Sequence, residues 1–150
     1  MFTIDQLAAW QILDSRGRPT VAARATLHGG GVGITQVPCG ASTGEHEAVE
    51  RRDGDSSRYG GLGVTAACRA VETDIAKAIA GRGFADLAEL DRAIIELDGT
   101  PNKARLGANA LLAVSQAVAC ALADQAGQPL HQYLSEQIGV PARLPVPTST

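Results

Sequence analysis

Residues 21–33 read VAARATLHGGGVG. Val21, Ala23, Ala25 and Leu27 alternate with Ala22, Arg24, Thr26 and His28, the period-two pattern of a strand with one buried face. Gly29, Gly30 and Gly31 then make a turn, and a shorter strand follows to about Val37, so the stretch predicts a β-hairpin. Upstream, Thr3–Leu13 predicts another strand. Asp14, Ser15, Arg16, Gly17 and Pro19 break the chain into a turn between the two. Together these segments predict a small three-stranded antiparallel meander.

Beyond residue 60 the periodicity changes. Val64, Ala67, Cys68, Val71, Ile75 and Ala78 recur at three and four residues, one apolar helix face that Gly81 stops. Leu87, Leu90, Ile94 and Leu97 form a second stripe. A long alanine-rich helix is predicted from about Leu106 to Ala126, with Leu111, Val114, Val118 and Leu122 on one face and Gly127 ending it. Pro129 suits the first position of a last short helix containing Leu130, Tyr133 and Leu134. Strands followed by helices predict an α+β domain, a meander followed by a helical bundle, with no barrel of alternating strands and helices. Residues 1–140 form that domain. Pro141, Pro145 and Pro147 make residues 141–150 a linker or the start of a further unit.

Composition narrows the function. The chain has 150 residues, a single-domain length, with 13 basic and 16 acidic residues and a net charge of −3. No basic patch points to nucleic acid, and no apolar run reaches the roughly 18 residues of a membrane span. The three cysteines, Cys39, Cys68 and Cys120, show no zinc spacing, and their usage predicts a reducing, cytoplasmic setting. Cys68 and Cys120 fall in helical patterns and are expected in the core. Cys39 lies in a loop near an expected helix start, which makes it a candidate reactive thiol. His28, His46 and His131 are isolated and carry no metal spacing.

The loop itself is VPCGASTG (37–44). Its glycines allow backbone amides to approach an anion, but Glu45 and His46 follow where a nucleotide-binding loop needs a lysine. Read locally, it caps a helix starting near Glu45, with Ser42 or Thr43 as the capping hydroxyl. Glu45, Glu47, Glu50, Arg51, Arg52, Asp53 and Asp55 then read as the solvated face of that helix.

Five stretches, taken together, resemble the enolase family: ILDSRGRPTV (12–21), VPCGASTGEHEAVERRDGD (37–55), ELDGTPNKARLGANALLAVS (96–115), PLHQYL (129–134) and LPVP (144–147). Order and spacing match along nearly the whole chain, but only to the amino-terminal domain of that family. The resemblance implies that a barrel of roughly 250 residues should accompany this domain. That barrel carries the catalytic base, the catalytic acid and the principal magnesium ligands, so this chain alone is expected to be inactive and to hold no catalytic residue. The resemblance further implies that the loop is a mobile lid. In it Gly40, Ala41, Ser42 and Thr43 enclose a phosphorylated substrate, and Ser42 supplies oxygens to a second Mg2+.

The implied reaction is dehydration of 2-phosphoglycerate to phosphoenolpyruvate, a glycolytic step, or of a related phospho or phosphono acid. The implied partner is an enolase-type barrel, on a separate chain or on a segment removed from this one, in a homo- or hetero-oligomer. The alternative is a non-catalytic binding or regulatory module derived from the same domain. The sequence departs from the family pattern at several positions. Cys39 stands where a serine is usual, Trp10 where an arginine of the dimer interface is common, Arg18 for asparagine and Leu62 for lysine. Thr148, Ser149 and Thr150 follow LPVP in place of methionine and asparagine.

Overall fold

The computed structural model describes residues 1–40, 44, 47–141 and 143. Strands β1 (Phe2–Leu13), β2 (Pro19–Leu27) and β3 (Val32–Gln36) form the expected antiparallel meander. A fourth, two-residue strand, β4 (Gly83–Phe84), joins the outer edge of β1, giving the order β3-β2-β1-β4. Phe2 pairs with Phe84, and their rings lie 5.8 Å apart between centroids. The β1–β2 turn is closed by the Asp14 carboxylate, whose Oδ1 accepts the N–H groups of Arg16 and Arg18 at 2.8 Å each.

The helices follow the predicted stripes. Between Thr65 and Ile79 the chain is helical throughout, as α1 (Thr65–Ala70), a wide π turn (Val71–Ile75) and α2 (Ala76–Ile79). The π turn keeps Val71 and Ile75 buried, so it is invisible to apolar periodicity. Helix α3 (Leu87–Asp98) begins with a reciprocal cap: Asp86 accepts Glu89 N–H at 2.8 Å, and Glu89 accepts Ala85 N–H at 2.7 Å. Helix α4 (Ala108–Gln125) and helix α5 (Leu130–Ile138) complete the bundle. Pro129 is the residue flanking α5, one position before the helical start that the sequence suggests.

The core lies between the sheet and α4. Val21, Ala23, Ala25 and Leu27 of β2 meet Ala110, Ala113, Val114, Ala117, Val118 and Ala121 of α4, while Leu7 and Ala9 of β1 join the same core where β1 packs on α1 and the π turn. Alanines on α4 keep the helix backbone close to the sheet, in a chain of only 3% aromatic residues. Cys68 is buried as expected, and burial pushes its thiol up to about 11. Cys120 is only half-buried, because it sits over Gly33 of the edge strand β3. No single described helix is long and apolar enough to cross a membrane.

The helix expected from Glu45 does not exist over the described residues 47–55, which run as irregular, tethered chain. The reason is visible in the stretch itself. Only Ala48 and Val49 are apolar, so no stripe could bury a helix here, and Gly54 takes a φ of 73°. Ser42 and Thr43, the expected capping hydroxyls, lie outside the described residues.

Candidate functional site

The two limbs of the 37–44 loop border an open cleft of about 660 Å³ between the sheet and the start of α4. Its wall includes Arg18, Gly40, Glu47, Glu50, Arg52 and Leu62. Each limb is fixed by contacts to distant parts of the chain. On the incoming side, Thr20 Oγ1 donates to the Val37 carbonyl at 2.5 Å, and Cys39 Sγ lies 3.6 Å from the Pro19 carbonyl oxygen. On the outgoing side, Val49 N–H donates to Asn102 O and Val49 O accepts from Ala108 N–H, both at 2.8 Å.

Asn109, buried at the start of α4, holds Arg51 from both sides. Its Oδ1 accepts Arg51 N–H at 3.0 Å and its Nδ2 donates to Arg51 O at 3.1 Å. Gly107 permits this approach: a Cβ there would stand 2.5 Å from Arg51 Cβ. Arg52 reaches further. Its Nη1 donates to the carbonyls of Pro19 at 2.7 Å and Leu62 at 2.9 Å, and its Nη2 contacts Glu50 Oε2 and Cys39 Sγ. Burial works against the Arg52 charge, yet the hydrogen bonds to Cys39 and Glu50 outweigh it and hold the guanidinium more firmly protonated than usual.

Asp53 closes the segment. Its carboxylate accepts Thr65 N–H, Thr65 Oγ1–H and Ala66 N–H at 3.0, 2.7 and 2.8 Å, satisfying the orphan amides at the start of α1. Burial alone would raise this carboxyl, but the bonds from Ala66 and Thr65 win and lower it. A depressed carboxyl stabilises the fold above the unfolded value of about 3.9, and that contribution disappears as pH falls through the folded value. Asp53→Asn should therefore cost about 1 kcal/mol at neutral pH. Urea midpoints at pH 7 and pH 3 should show the wild type losing more on acidification than the variant.

Residues 4–134 match the family model described as Enolase, N-terminal domain. The chain belongs to the enolase family. Within this enolase amino-terminal domain, the expected site residues divide cleanly. Gly40 is exposed at the cleft edge, its N–H 3.4 Å from Glu50 Oε1. Cys39 is half-buried beside Arg52, with no helix start near it among the described residues. Ala41, Ser42 and Thr43 lie outside the described residues, as does His46. The expected linker, residues 141–150, is described only at Pro141 and Arg143. Arg18 and Leu62, two departures from the family pattern, both line the cleft. Trp10, a third, is 41% exposed on the sheet face away from α4, beside Ala22.

Sequence reading missed Arg52, Asp53 and Asn109 as anchors. The local signal was a mixed-sign charge run with no apolar stripe and a glycine at its end, which suits tethered chain better than helix.

Proposed function

We propose that this domain carries the lid of an enolase-type hydro-lyase and works against a barrel supplied by another chain or segment. The observation that supports this is the cleft with its two anchored limbs. The loop between those limbs is the part proposed to close over a small ligand, as the family resemblance implies. The reaction is then dehydration of 2-phosphoglycerate or of a related phospho or phosphono acid. Arg18 adds an exposed cation to the cleft wall, and Leu62 leaves a neutral side chain there at a position where a lysine is common.

The family also implies magnesium. Among the described residues, no three His, Cys, Asp or Glu side chains converge on a metal-sized space. Glu50 is engaged by Arg52 and by the Gly40 amide. The described residues therefore do not make a magnesium site by themselves. Ser42 is the one ligand proposed from this chain, for an ion held chiefly by the barrel. What this chain's residues do is enclose the substrate, exclude water and fix where the loop reaches.

Docking of a barrel is supported by an apolar groove of about 280 Å³ that adjoins the cleft and shares Ala48, Ala108 and Leu112 with it. The test is reconstitution. The chain alone should show no enol absorbance with 2-phosphoglycerate and Mg2+. Mixed with an enolase-type barrel it should show magnesium-dependent turnover, and Ser42→Ala should lower that rate on the order of 100-fold. A barrel that binds but gives no turnover, with Ser42→Ala making no difference, would overturn the reading. That outcome would favour a non-catalytic docking module, for which the exposed Trp10 and Ile34 on the open sheet face are the supporting observation.

A further inference from the structure

We propose that Arg52 is a positioning residue that clamps the neck of the loop, holding its incoming limb against its outgoing one. Residues 39–40 and 50–52 lie side by side, yet no backbone hydrogen bond joins them. Two side chains make the connection. Glu50 receives the Gly40 amide on Oε1 and the Arg52 guanidinium on Oε2. Arg52 in turn spans to Cys39 Sγ, 3.5 Å from Nη2, and pins the whole neck to the carbonyls of Pro19 and Leu62.

One planar guanidinium thus serves four acceptors from four separate parts of the chain. An ammonium group on a flexible stem cannot match that fork, so lysine is no substitute. The arrangement is half-shielded, with 23% of the Arg52 side chain and 32% of the Glu50 side chain exposed, which strengthens the pair relative to one in open water. Asn109 and Asp53 fix residues 51 and 53 independently. Opening the clamp therefore loosens residues 39–40, beyond the Thr20–Val37 bond and held then only by the long Cys39–Pro19 contact, while the outgoing limb stays in place. The functional meaning of the clamp rests on the lid reading, but its existence does not.

The test uses this chain by itself, so its failure is distinct from a failed reconstitution. Arg52→Ala should raise hydrogen exchange at the Gly40 amide and iodoacetamide labelling of Cys39 by about tenfold or more, because charge-assisted bonds to several acceptors are lost together. Labelling is read by peptide mass spectrometry. Cys68, on the buried face of α1, should stay unlabelled and reports on global opening. Methylguanidinium, added well below denaturing concentration, should restore slow exchange and slow labelling in Arg52→Ala. Were Arg52→Ala to fail to fold, Glu50→Ala carries the same two readouts, since it leaves the bonds to Pro19 and Leu62 in place. Rates within twofold of wild type, equal labelling of Cys68 and Cys39, or absence of rescue by methylguanidinium would each overturn the clamp.

Discussion

Gly33→Ala should cost about 3 kcal/mol or more, although it adds a single methyl group. A Cβ at Gly33 would stand 2.0 Å from the Ala117 carbonyl oxygen, 2.3 Å from Ala121 N and 2.8 Å from Cys120 Cβ. The first two are backbone atoms in the middle of α4, so no side-chain rotation relieves them. The helix would have to lift by about 1 Å or more to restore ordinary contact distances. Lifting it would open the interface where Val114, Ala117 and Val118 meet Ala23 and Ala25. Interiors this close-packed resist such a gap. Gly30→Ala is the control. It carries a φ of 89° but has no atom within 4 Å, so only the backbone strain, about 1 kcal/mol, should appear. Urea unfolding of both variants separates the terms. A Gly33→Ala midpoint no lower than that of Gly30→Ala would refute the account of how α4 sits on the sheet.

That contact also shows what the sequence makes legible. GGGVG reads correctly as a turn entering a strand. The second task of its glycines, admitting a helix backbone almost ninety residues away, leaves no local trace. Strands β1 and β2 and the helices α3 and α4 were readable because each has a buried face that imposes a period, whereas α5, which buries no residue, was marked by its flanking Gly127 and Pro129. Strand β4 was not readable, since two residues have no period and Gly83 and Phe84 pair only because Phe2 and Thr3 lie opposite them. The charge run 45–55 failed for a related reason. Arg52 and Asp53 are satisfied by Pro19, Leu62, Thr65 and Ala66, partners that only the tertiary fold brings near. A count of charges cannot distinguish a solvated face from a row of tethers.

Asp98→Asn should be nearly as damaging as removing the side chain, at about 3 kcal/mol, and its effect should reach the cleft. Asp98 is 2% exposed at the end of α3. Its Oδ2 accepts Leu106 N–H at 2.7 Å, and its Oδ1 accepts Thr100 N–H at 3.0 Å together with the Thr100 hydroxyl. Every one of these partners is a donor, so both oxygens must accept. An amide in this place turns an NH₂ toward either Leu106 N–H or Thr100, leaving donor facing donor in a buried site. The residues it organises, 99–107, include Asn102 and lead into Ala108, the two groups that hold Val49 on the outgoing limb of the loop. Loss of stability should therefore come with faster hydrogen exchange at Val49 and Ala108, whereas Arg52→Ala should spare them. The pH dependence supplies a second check. Burial raises the Asp98 carboxyl, but the Thr100 and Leu106 bonds outweigh it and lower it overall. Its stabilisation is thus complete above the unfolded value of about 3.9 and is lost as pH falls through the lower folded value. The gap in urea midpoint between wild type and Asp98→Asn should be wide at pH 7 and narrow by pH 3. A gap that stays constant with pH would mean that the ionised carboxylate is not what holds this loop, and that packing alone sets the path from α3 to the cleft.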